Sequence, residues 1–366
     1  MAFPKTQSSA RLPYIDWMRG LAAVIMIQGH AFHAFTRPEL RASGPYVFSQ
    51  FVGGMPPAIF LFLVGVTLAF LMDSRERKGL APGLRVLAAL KRAGFLFGIA
   101  FLFRLQLWLF GWPYSAWTDL LKVDILNAMG LAVAVLSPMA IFQTAERVRL
   151  CAALGLAIAG VSPLISQLDW SGVHPLVKAY IAPDFFYFGF FPWASFVAFG
   201  MSAGSILRLA RAEQIERLMQ WGALAGFGLI LAGRYFADFP YSVYPASDFW
   251  LDSPWLVLIK LGVLLLMLSF AFLWTQYVVR ERWSWVRQFG LTSLLVYWVH
   301  IELMYGRWLW FWKENLTIGQ TAAVAAGFLV LMLALSLLRT QWRNWRLLGF
   351  WLGWPYLLRP RRALED

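Results

Sequence analysis

Residues 16–35 read DWMRGLAAVIMIQGHAFHAF, an apolar segment that opens with charged side chains and carries a histidine in its second half. An ionisable side chain in a bilayer costs roughly 2.5–3.5 kcal/mol on insertion scales, so it is usually retained for function. Eleven residues at 3.6 per turn bring His30 to within about 20° of Arg19, roughly 16 Å further along one helix. The segment therefore predicts a membrane helix with a cation near one edge and an acid/base group near mid-bilayer.

The composition places the whole chain in a membrane. Of its 366 residues, 60% are hydrophobic and only 14% are charged, whereas a soluble domain carries about 25% charged residues. The 20 Trp and 31 Phe residues suit interfacial aromatic belts. We expect an all-α integral membrane protein with the lipid bilayer as its principal partner.

Apolar runs that are long enough to cross a hydrocarbon core of ~30 Å recur ten times along the chain. They predict spans at 17–35, 51–72, 86–110, 120–142, 148–165, 188–207, 218–236, 254–279, 289–312 and 318–338. Residues 345–358 are short, Trp-rich and flanked by arginines, which predicts a C-terminal interfacial helix. The sequence thus predicts one membrane domain over residues 1–366, built as a bundle of about ten transmembrane helices (17–338) with a tail at 339–366.

The positions of lysine and arginine predict the orientation. Of the 32 such residues, 22 lie in the terminal segments and in every second loop, and only five lie in the alternate loops. Because positive residues collect on the cytoplasmic side, we expect a multi-pass protein of the cell membrane with both termini in the cytoplasm. The net charge of +13 then reflects topology and lipid contact, and it gives no support for nucleic-acid binding.

Once the positive residues counted with the terminal segments and loops are removed, five embedded ones remain: Arg19, Arg104, Lys122, Lys260 and Arg307. Lys122 and Arg307 lie near helix ends, where a long side chain can reach the interface. Arg104 lies deeper, at a level where it could meet Asp124 and Asn127 of the fourth span. This arrangement predicts either a structural ion pair or a substrate-binding pair.

Two of the four histidines, His30 and His300, fall at comparable depth in the first and ninth spans. A lone histidine on an apolar helix is usually a hydrogen-bonded core residue, but two at one depth favour catalysis or substrate contact. Glu302, two residues after His300, points to another face. His33 could join His30 as a zinc pair, but no third ligand is evident, so we expect no metal site.

Residues 16–22 together with His30 resemble the opening motif of membrane-embedded acyltransferases, namely acyltransferase family 3 and the bacterial relatives of heparan-alpha-glucosaminide N-acetyltransferase. Four later stretches are more similar to the second group and follow in order along the chain: 60–66, 122–131, 191–193 and 293–300. The resemblance implies a transmembrane acyltransferase that takes acyl-CoA, above all acetyl-CoA, as co-substrate and holds no permanent cofactor.

One departure from that group concerns the acceptor. Animal lysosomal members carry a histidine in the loop after the first span, and residues 36–50 contain none. The acetyl-glucosaminide acceptor is therefore not carried over, and the acid/base role falls to His30.

The resemblance implies distinct donor and acceptor residues. Arg19, with Asp16 three residues before it, would bind the phosphates of cytoplasmic acyl-CoA. His30 would remove a proton from a hydroxyl or amine of an extracytoplasmic acceptor, or form a covalent acyl-histidine. The acceptor, a saccharide or other small molecule, needs several converging hydrogen-bonding groups, and we assign these to His300, Asp124, Asn127 and Arg104.

A multi-span transporter of a small solute or ion is the alternative, with His30 and His300 as a polar relay, because buried ionisable residues also mark transport paths. Against it, the sequence shows no paired Gly/Pro-interrupted spans at matching positions in its two halves. The embedded charges disfavour a non-catalytic scaffold. The oligomeric state does not follow from the sequence.

Overall fold

A computed structural model of the chain describes residues 12–349, with side chains described through residue 341. Every regular element in this range is helical. The principal helices are α1 (Pro13–Phe35), α2 (Gly44–Gly53), α3 (Pro56–Arg77), α4 (Pro82–Gly111), α5 (Ile125–Leu136), α6 (Thr144–Ser166), α7 (Pro175–Ile181), α8 (Phe190–Leu209), α9 (Ile215–Ala237), α10 (Pro254–Leu273), α11 (Trp285–Leu291), α12 (Ser293–Tyr305) and α13 (Ile318–Gly349).

Helices occupy all ten predicted spans. Within the described residues, seven stretches are long and apolar enough to cross a membrane: Gly44–Arg77, Pro82–Gly111, Trp117–Ile141, Thr144–Ser166, Phe190–Leu209, Pro254–Val279 and Ile318–Gln341. The other three predicted spans fall on α1, on α9 and on the pair α11–α12. The prediction of an all-α membrane bundle is confirmed.

Two spans differ from the predicted continuous helices. The fourth begins at Ile125, not near residue 120, because Asp124 caps α5 and a 3₁₀ turn precedes it. The ninth is broken twice: Thr292 leaves helical geometry (φ −126°, ψ 21°) and Gly306 is extended. Hydropathy does not register either break, because the stretch around them is predominantly apolar.

The C-terminal helix is longer than predicted. Helix α13 continues without interruption from Ile318 to Gly349, through the start of the predicted tail. It therefore includes the first residues of the predicted interfacial helix at 345–358. The rest of that prediction lies outside the described residues.

Glycines let α1 and α11 cross in close contact. A Cβ atom added to Gly20 would collide with the backbone carbonyl of Val286, and one added to Gly290 would collide with the carbonyl of Asp16. Small residues at such crossings allow membrane helices to approach backbone to backbone. The crossing brings α1 against α11 and hence beside α12, which follows α11 after one residue.

Charged side chains join helices at the basic end of the bundle, which we define as the end where α1 begins and α3 ends. Arg147 of α6 is fully buried; it donates to Glu76 of α3 (Nη2–Oε2, 2.9 Å) and to the carbonyl of Phe142 (2.6 Å). Arg208 of α8 contacts Asp73 of α3 (Nε–Oδ2, 2.6 Å). These pairs fix the ends of α3, α6 and α8 together.

The two ion pairs form one arginine–carboxylate network. The hydroxyl of Thr144 lies 3.1 Å from an oxygen of Asp73 and 3.0 Å from an oxygen of Glu76. A second arginine lies near each carboxylate: Arg77 at 3.0 Å from Asp73 and Arg85 at 3.7 Å from Glu76. Each buried charge is thus matched by opposite charge and hydrogen bonds, which a low-dielectric interior requires.

Candidate functional site

His30 of α1 and His300 of α12 are in direct contact. Nδ1 of His30 lies 3.0 Å from Nε2 of His300, and the rings are nearly parallel, with an interplanar angle of 14°. His300 is fully buried, while His30 is half-buried. The structure therefore brings together two residues that are 270 positions apart.

The partners of His300 determine the direction of the hydrogen bonds. Nδ1 of His300 lies 2.6 Å from the carbonyl oxygen of Val296, and a carbonyl can only accept, so this nitrogen donates its N–H. In a neutral imidazole the other nitrogen is then an acceptor, and Nε2 of His300 accepts from Nδ1 of His30. Nε2 of His30 remains an unprotonated nitrogen that is able to take a proton.

Two tyrosines flank the histidine pair. The ring of Tyr305 meets His30 edge-on, with centroids 5.5 Å apart, and its hydroxyl lies 3.1 Å from Nδ1 of His33. Tyr297 packs edge-on against His300 at 6.0 Å. Tyr297 also packs against Phe103 of α4, with ring centroids 5.3 Å apart, so it connects the histidine pair to α4.

Asp124 and Asn127 form a helix cap. The carboxylate of Asp124 accepts from the backbone N–H groups of Leu126 (2.9 Å) and Asn127 (3.2 Å), and the side chain of Asn127 accepts from the N–H of Asp124 (3.2 Å). This reciprocal capping box satisfies N–H groups that the first turn of a helix leaves unpaired. It explains why α5 begins where it does.

The same cap holds two further side chains. Arg104 of α4 pairs with the second carboxylate oxygen of Asp124 (Nε–Oδ2, 3.2 Å); this contact is compatible with both predicted roles, a structural ion pair and a substrate-binding pair. Asn127 donates from Nδ2 to the hydroxyl of Tyr180 (2.9 Å). The pKa of Tyr180 is raised, chiefly because the side chain is partly buried. The hydrogen bond from Asn127 opposes this rise, and the nearby charge of Asp124 adds to it. The sequence analysis did not include Tyr180, which lies in the short helix α7.

Asp16 and Arg19 form an ion pair at the basic end of α1. The distance from Nη1 of Arg19 to Oδ1 of Asp16 is 3.0 Å, and a quarter of the arginine side chain is exposed. Because α1 is continuous from Pro13 to Phe35, Arg19 and His30 lie on one face about 16 Å apart, as a regular helix requires.

A second group of polar residues connects α4 to α12 and was not predicted. Nε2 of Gln106 donates to Oε2 of Glu302 (2.6 Å), and Nε1 of Trp308 donates to Oε1 of Glu302 (2.7 Å). Nε1 of Trp298 donates to Oε1 of Gln106 (2.6 Å). We call these four residues the Gln106–Glu302 network. The sequence signal was the pair Trp298 and Glu302, which lie four residues apart on one helix face.

No group of three or more His, Cys, Asp or Glu side chains within residues 12–349 is arranged to hold a metal ion. His33 lies at i+3 from His30 but contacts Tyr305. The polar groups that the site contains are imidazole, carboxylate, amide, phenol and guanidinium, which suit proton transfer and hydrogen bonding.

The chain matches the model of a known protein family. The family described as heparan-alpha-glucosaminide N-acetyltransferase, catalytic, matches residues 11–239 of the chain. The matched part includes Asp16, Arg19, His30, Arg104 and the α5 cap, whereas His300 and Glu302 lie beyond it. None of the curated proteins matches the chain.

Proposed function

The chain belongs to the heparan-alpha-glucosaminide N-acetyltransferase catalytic family and is a membrane enzyme of the acetyltransferase type, and we propose that it moves an acyl group across a cell membrane. The donor is cytoplasmic acyl-CoA, above all acetyl-CoA. The acceptor is a hydroxyl or amine of an extracytoplasmic molecule, with a saccharide as the leading candidate. In this proposal the basic end of the bundle and both chain termini face the cytoplasm, as the distribution of positive residues favours.

The observation that carries the proposal is the hydrogen-bond chain from Val296 through His300 to His30. It leaves Nε2 of His30 free to accept a proton in the interior of the bundle. We propose that this nitrogen takes the proton of the acceptor as its oxygen or nitrogen attacks the thioester carbonyl. The new C–O or C–N bond forms, the C–S bond breaks, and the proton passes from His30 to the departing CoA sulfur.

His300 has a different role in this proposal from the one expected. Both of its ring nitrogens are engaged, one by Val296 and one by His30, so it has no nitrogen left for an acceptor molecule. We therefore propose that His300 acts through His30, by fixing its tautomer and ring orientation, as the partner of a catalytic histidine does.

The donor would approach from the basic end. Arg19 is held by Asp16 and is partly exposed there, and a guanidinium binds phosphate through charge-assisted, bidentate hydrogen bonds. The extended pantetheine arm would then follow the face of α1 toward His30. An anionic head and a reactive thioester separated by a long thin arm suit the spacing of Arg19 and His30.

The acceptor would bind at the opposite end, beside the α5 cap. Arg104 has donors beyond the one that faces Asp124, and these can bind a polar acceptor. Asp124 then holds Arg104 in place, and Asn127 with Tyr180 forms part of the pocket wall. Several convergent polar groups in an otherwise apolar site are the usual form of a small-molecule pocket.

Purified protein, radiolabelled acetyl-CoA and an envelope extract test the function directly. We expect label to appear in an extractable acceptor with wild-type protein, and not with His30→Ala. His174→Asn is the matched control, because asparagine can keep the cap that His174 provides to the exposed helix α7. Equal transfer by His30→Ala and wild type would remove histidine from the mechanism. Solute or ion flux in liposomes without consumption of acetyl-CoA would favour the transporter alternative.

The orientation has its own test. A reporter that is active only outside the cytoplasm, fused after Asp366, should stay inactive, while the same reporter in the 237–253 loop should be active. Activity of the C-terminal fusion would overturn the two-sided arrangement of donor and acceptor.

A further inference from the structure

We propose that Gln106 and Glu302 are positioning residues: their hydrogen-bonded network sets the rotation of α12 and thereby keeps His300 in contact with His30. This inference rests on the proposed function for its catalytic consequence. Its structural content, the state of the two histidines, is independent of that function and can be measured separately.

The first argument is the geometry of α12. At 100° per residue, Trp298 and Glu302 lie about 40° apart on one face, and His300 between them lies on the opposite face. The first two contact Gln106 of α4, whereas His300 contacts His30 of α1. The network therefore holds α12 from the side opposite to the histidine pair, so a rotation of α12 would disturb both contacts together.

The second argument is that α12 is short and poorly constrained by its own chain. It has 13 residues, with non-helical geometry at Thr292 before it and an extended Gly306 after it. Adjacent helices therefore do not fix its rotation through a continuous backbone. Trp308 lies beyond the break and also donates to Glu302, so the network joins α4, α12 and the segment that follows α12.

The third argument is that each polar side-chain atom of the network has a hydrogen-bond partner within it. The Gln106 side chain uses its oxygen for Trp298 and its NH₂ group for Glu302, and the two carboxylate oxygens of Glu302 accept from Gln106 and Trp308. Glu302 is buried, with 8% of its surface exposed. A buried network of this kind is specific because any mismatch leaves an unsatisfied polar group.

That inventory predicts the effect of single substitutions. In Glu302→Gln, position 302 has one acceptor oxygen for two donors, so an N–H group faces another N–H group. Turning the Gln106 amide over only moves the mismatch to Trp298. Gln106→Glu is worse, since two carboxylates would meet at the present 2.6 Å contact.

The double substitution Gln106→Glu/Glu302→Gln restores every bond. A carboxylate at position 106 accepts from Trp298 and from an amide NH₂ at position 302, whose oxygen accepts from Trp308. The net charge equals that of the wild type. The exchange is therefore a matched control in which composition, charge and number of hydrogen bonds are kept.

The experiment compares the wild type, both single variants and the double variant in detergent, with histidine labelled with ¹⁵N. The chain has four histidines, so the signals can be assigned with the single variants His30→Ala, His33→Ala and His174→Asn. We expect Nδ1-protonated tautomers for His30 and His300 in the wild type and the double variant. In Glu302→Gln these signals should shift or broaden.

Activity provides the second measurement. Glu302→Gln should lower kcat by roughly 10- to 100-fold, the scale of a displaced catalytic group, and shift the pH–rate profile, with the KM for acyl-CoA unchanged. The double variant should recover most of the wild-type kcat and most of the wild-type pH–rate profile. A role in stability alone would lower the melting temperature without moving the profile.

The inference is overturned if the histidine signals of Glu302→Gln match the wild type, or if the double variant remains as altered as Glu302→Gln at an equal melting temperature. If Glu302→Gln does not fold, Trp308→Phe removes a single donor, and its histidine signals decide in the same way. Complete absence of acyl transfer in the wild type would instead count against the proposed function, since the tautomer measurement does not need it.

Discussion

Two polar clusters join helices that are distant in sequence: the arginine–carboxylate network at the basic end and the histidine pair near the middle of the bundle. They differ in whether an acceptor nitrogen stays available for chemistry. In the network, Asp73 and Glu76 are each matched by two arginines and share Thr144. In the pair, the described contacts of His30 leave Nε2 as an unused acceptor. A polar cluster whose charges pair with one another stabilises the fold, whereas one that leaves an unprotonated imidazole nitrogen available can do chemistry.

The largest effect is expected at the pair itself. His30→Ala should lower transfer by roughly 10²- to 10⁴-fold, the range for loss of general acid–base catalysis. If His300 acts only through His30, the double variant His30→Ala/His300→Ala should be no slower than His30→Ala alone, because residues that act as a unit are not additive. A further loss in the double variant, measured as single-turnover rate, would give His300 an independent role.

The arginine–carboxylate network should show the reverse behaviour. Arg147→Met removes the fully buried cation and leaves Glu76 with a weaker partner, which should cost about 3–5 kcal/mol of stability. The fraction of Arg147→Met that still folds should keep the wild-type KM and pH–rate profile. Thermal unfolding in detergent measures the loss of stability, and steady-state kinetics measure the KM and the profile. A changed profile at permissive temperature would extend the site to the basic end.

Arg19 lies between these extremes, since it is ion-paired but partly exposed. Arg19→Ala should raise the apparent KM for acyl-CoA by roughly 10- to 100-fold, because a hydrogen bond to a charged group contributes about 1.5–3 kcal/mol. Arg19→Lys should recover part of the loss, as a point charge replaces a planar fork. Calorimetry that finds equal acyl-CoA affinity in Arg19→Ala and wild type would return Arg19 to a structural role with Asp16.

The smallest effect is expected at the wall of the acceptor pocket. Tyr180→Phe removes one hydrogen bond to Asn127, a change of about 1 kcal/mol. Transfer to the acceptor should fall severalfold, while hydrolysis of acyl-CoA by water, which needs no pocket, should not. If both reactions fell by one factor with folding unchanged, the α5 cap would belong to the shared chemical step and not to the acceptor.

The fold could be predicted because long apolar runs have few alternatives to helix in a bilayer. The breaks at Thr292 and Gly306 could not, since they interrupt a stretch that is apolar enough to be predicted as one continuous helix. The α5 cap was visible as Asp124 and Asn127 three residues apart, but these residues were interpreted as partners of Arg104 and as pocket residues, not as a helix cap. Polar side chains at the start of a helix should first be considered as helix caps.

The sequence predicted the level of the two histidines along their helices, but it did not predict which side chains touch one another. Helix geometry placed His30 and His300 at one level, and their spacing of 3.0 Å then required the close crossing of α1 and α11 at Gly20 and Gly290. Gln106 and Glu302 are 196 positions apart, and nothing local to either residue indicates the other. Such partners follow from packing, which periodicity does not encode.

The Val296 carbonyl also has a consequence for the energetics of the membrane. It closes the hydrogen-bond chain of the histidine pair, and because a carbonyl has no proton to give, a proton that His30 takes up has no onward path through His300. It must leave from the same nitrogen by which it arrived. An imidazole pair inside a bilayer could otherwise conduct protons and dissipate the proton gradient across the membrane. We expect this pair to support acyl transfer without such proton leakage.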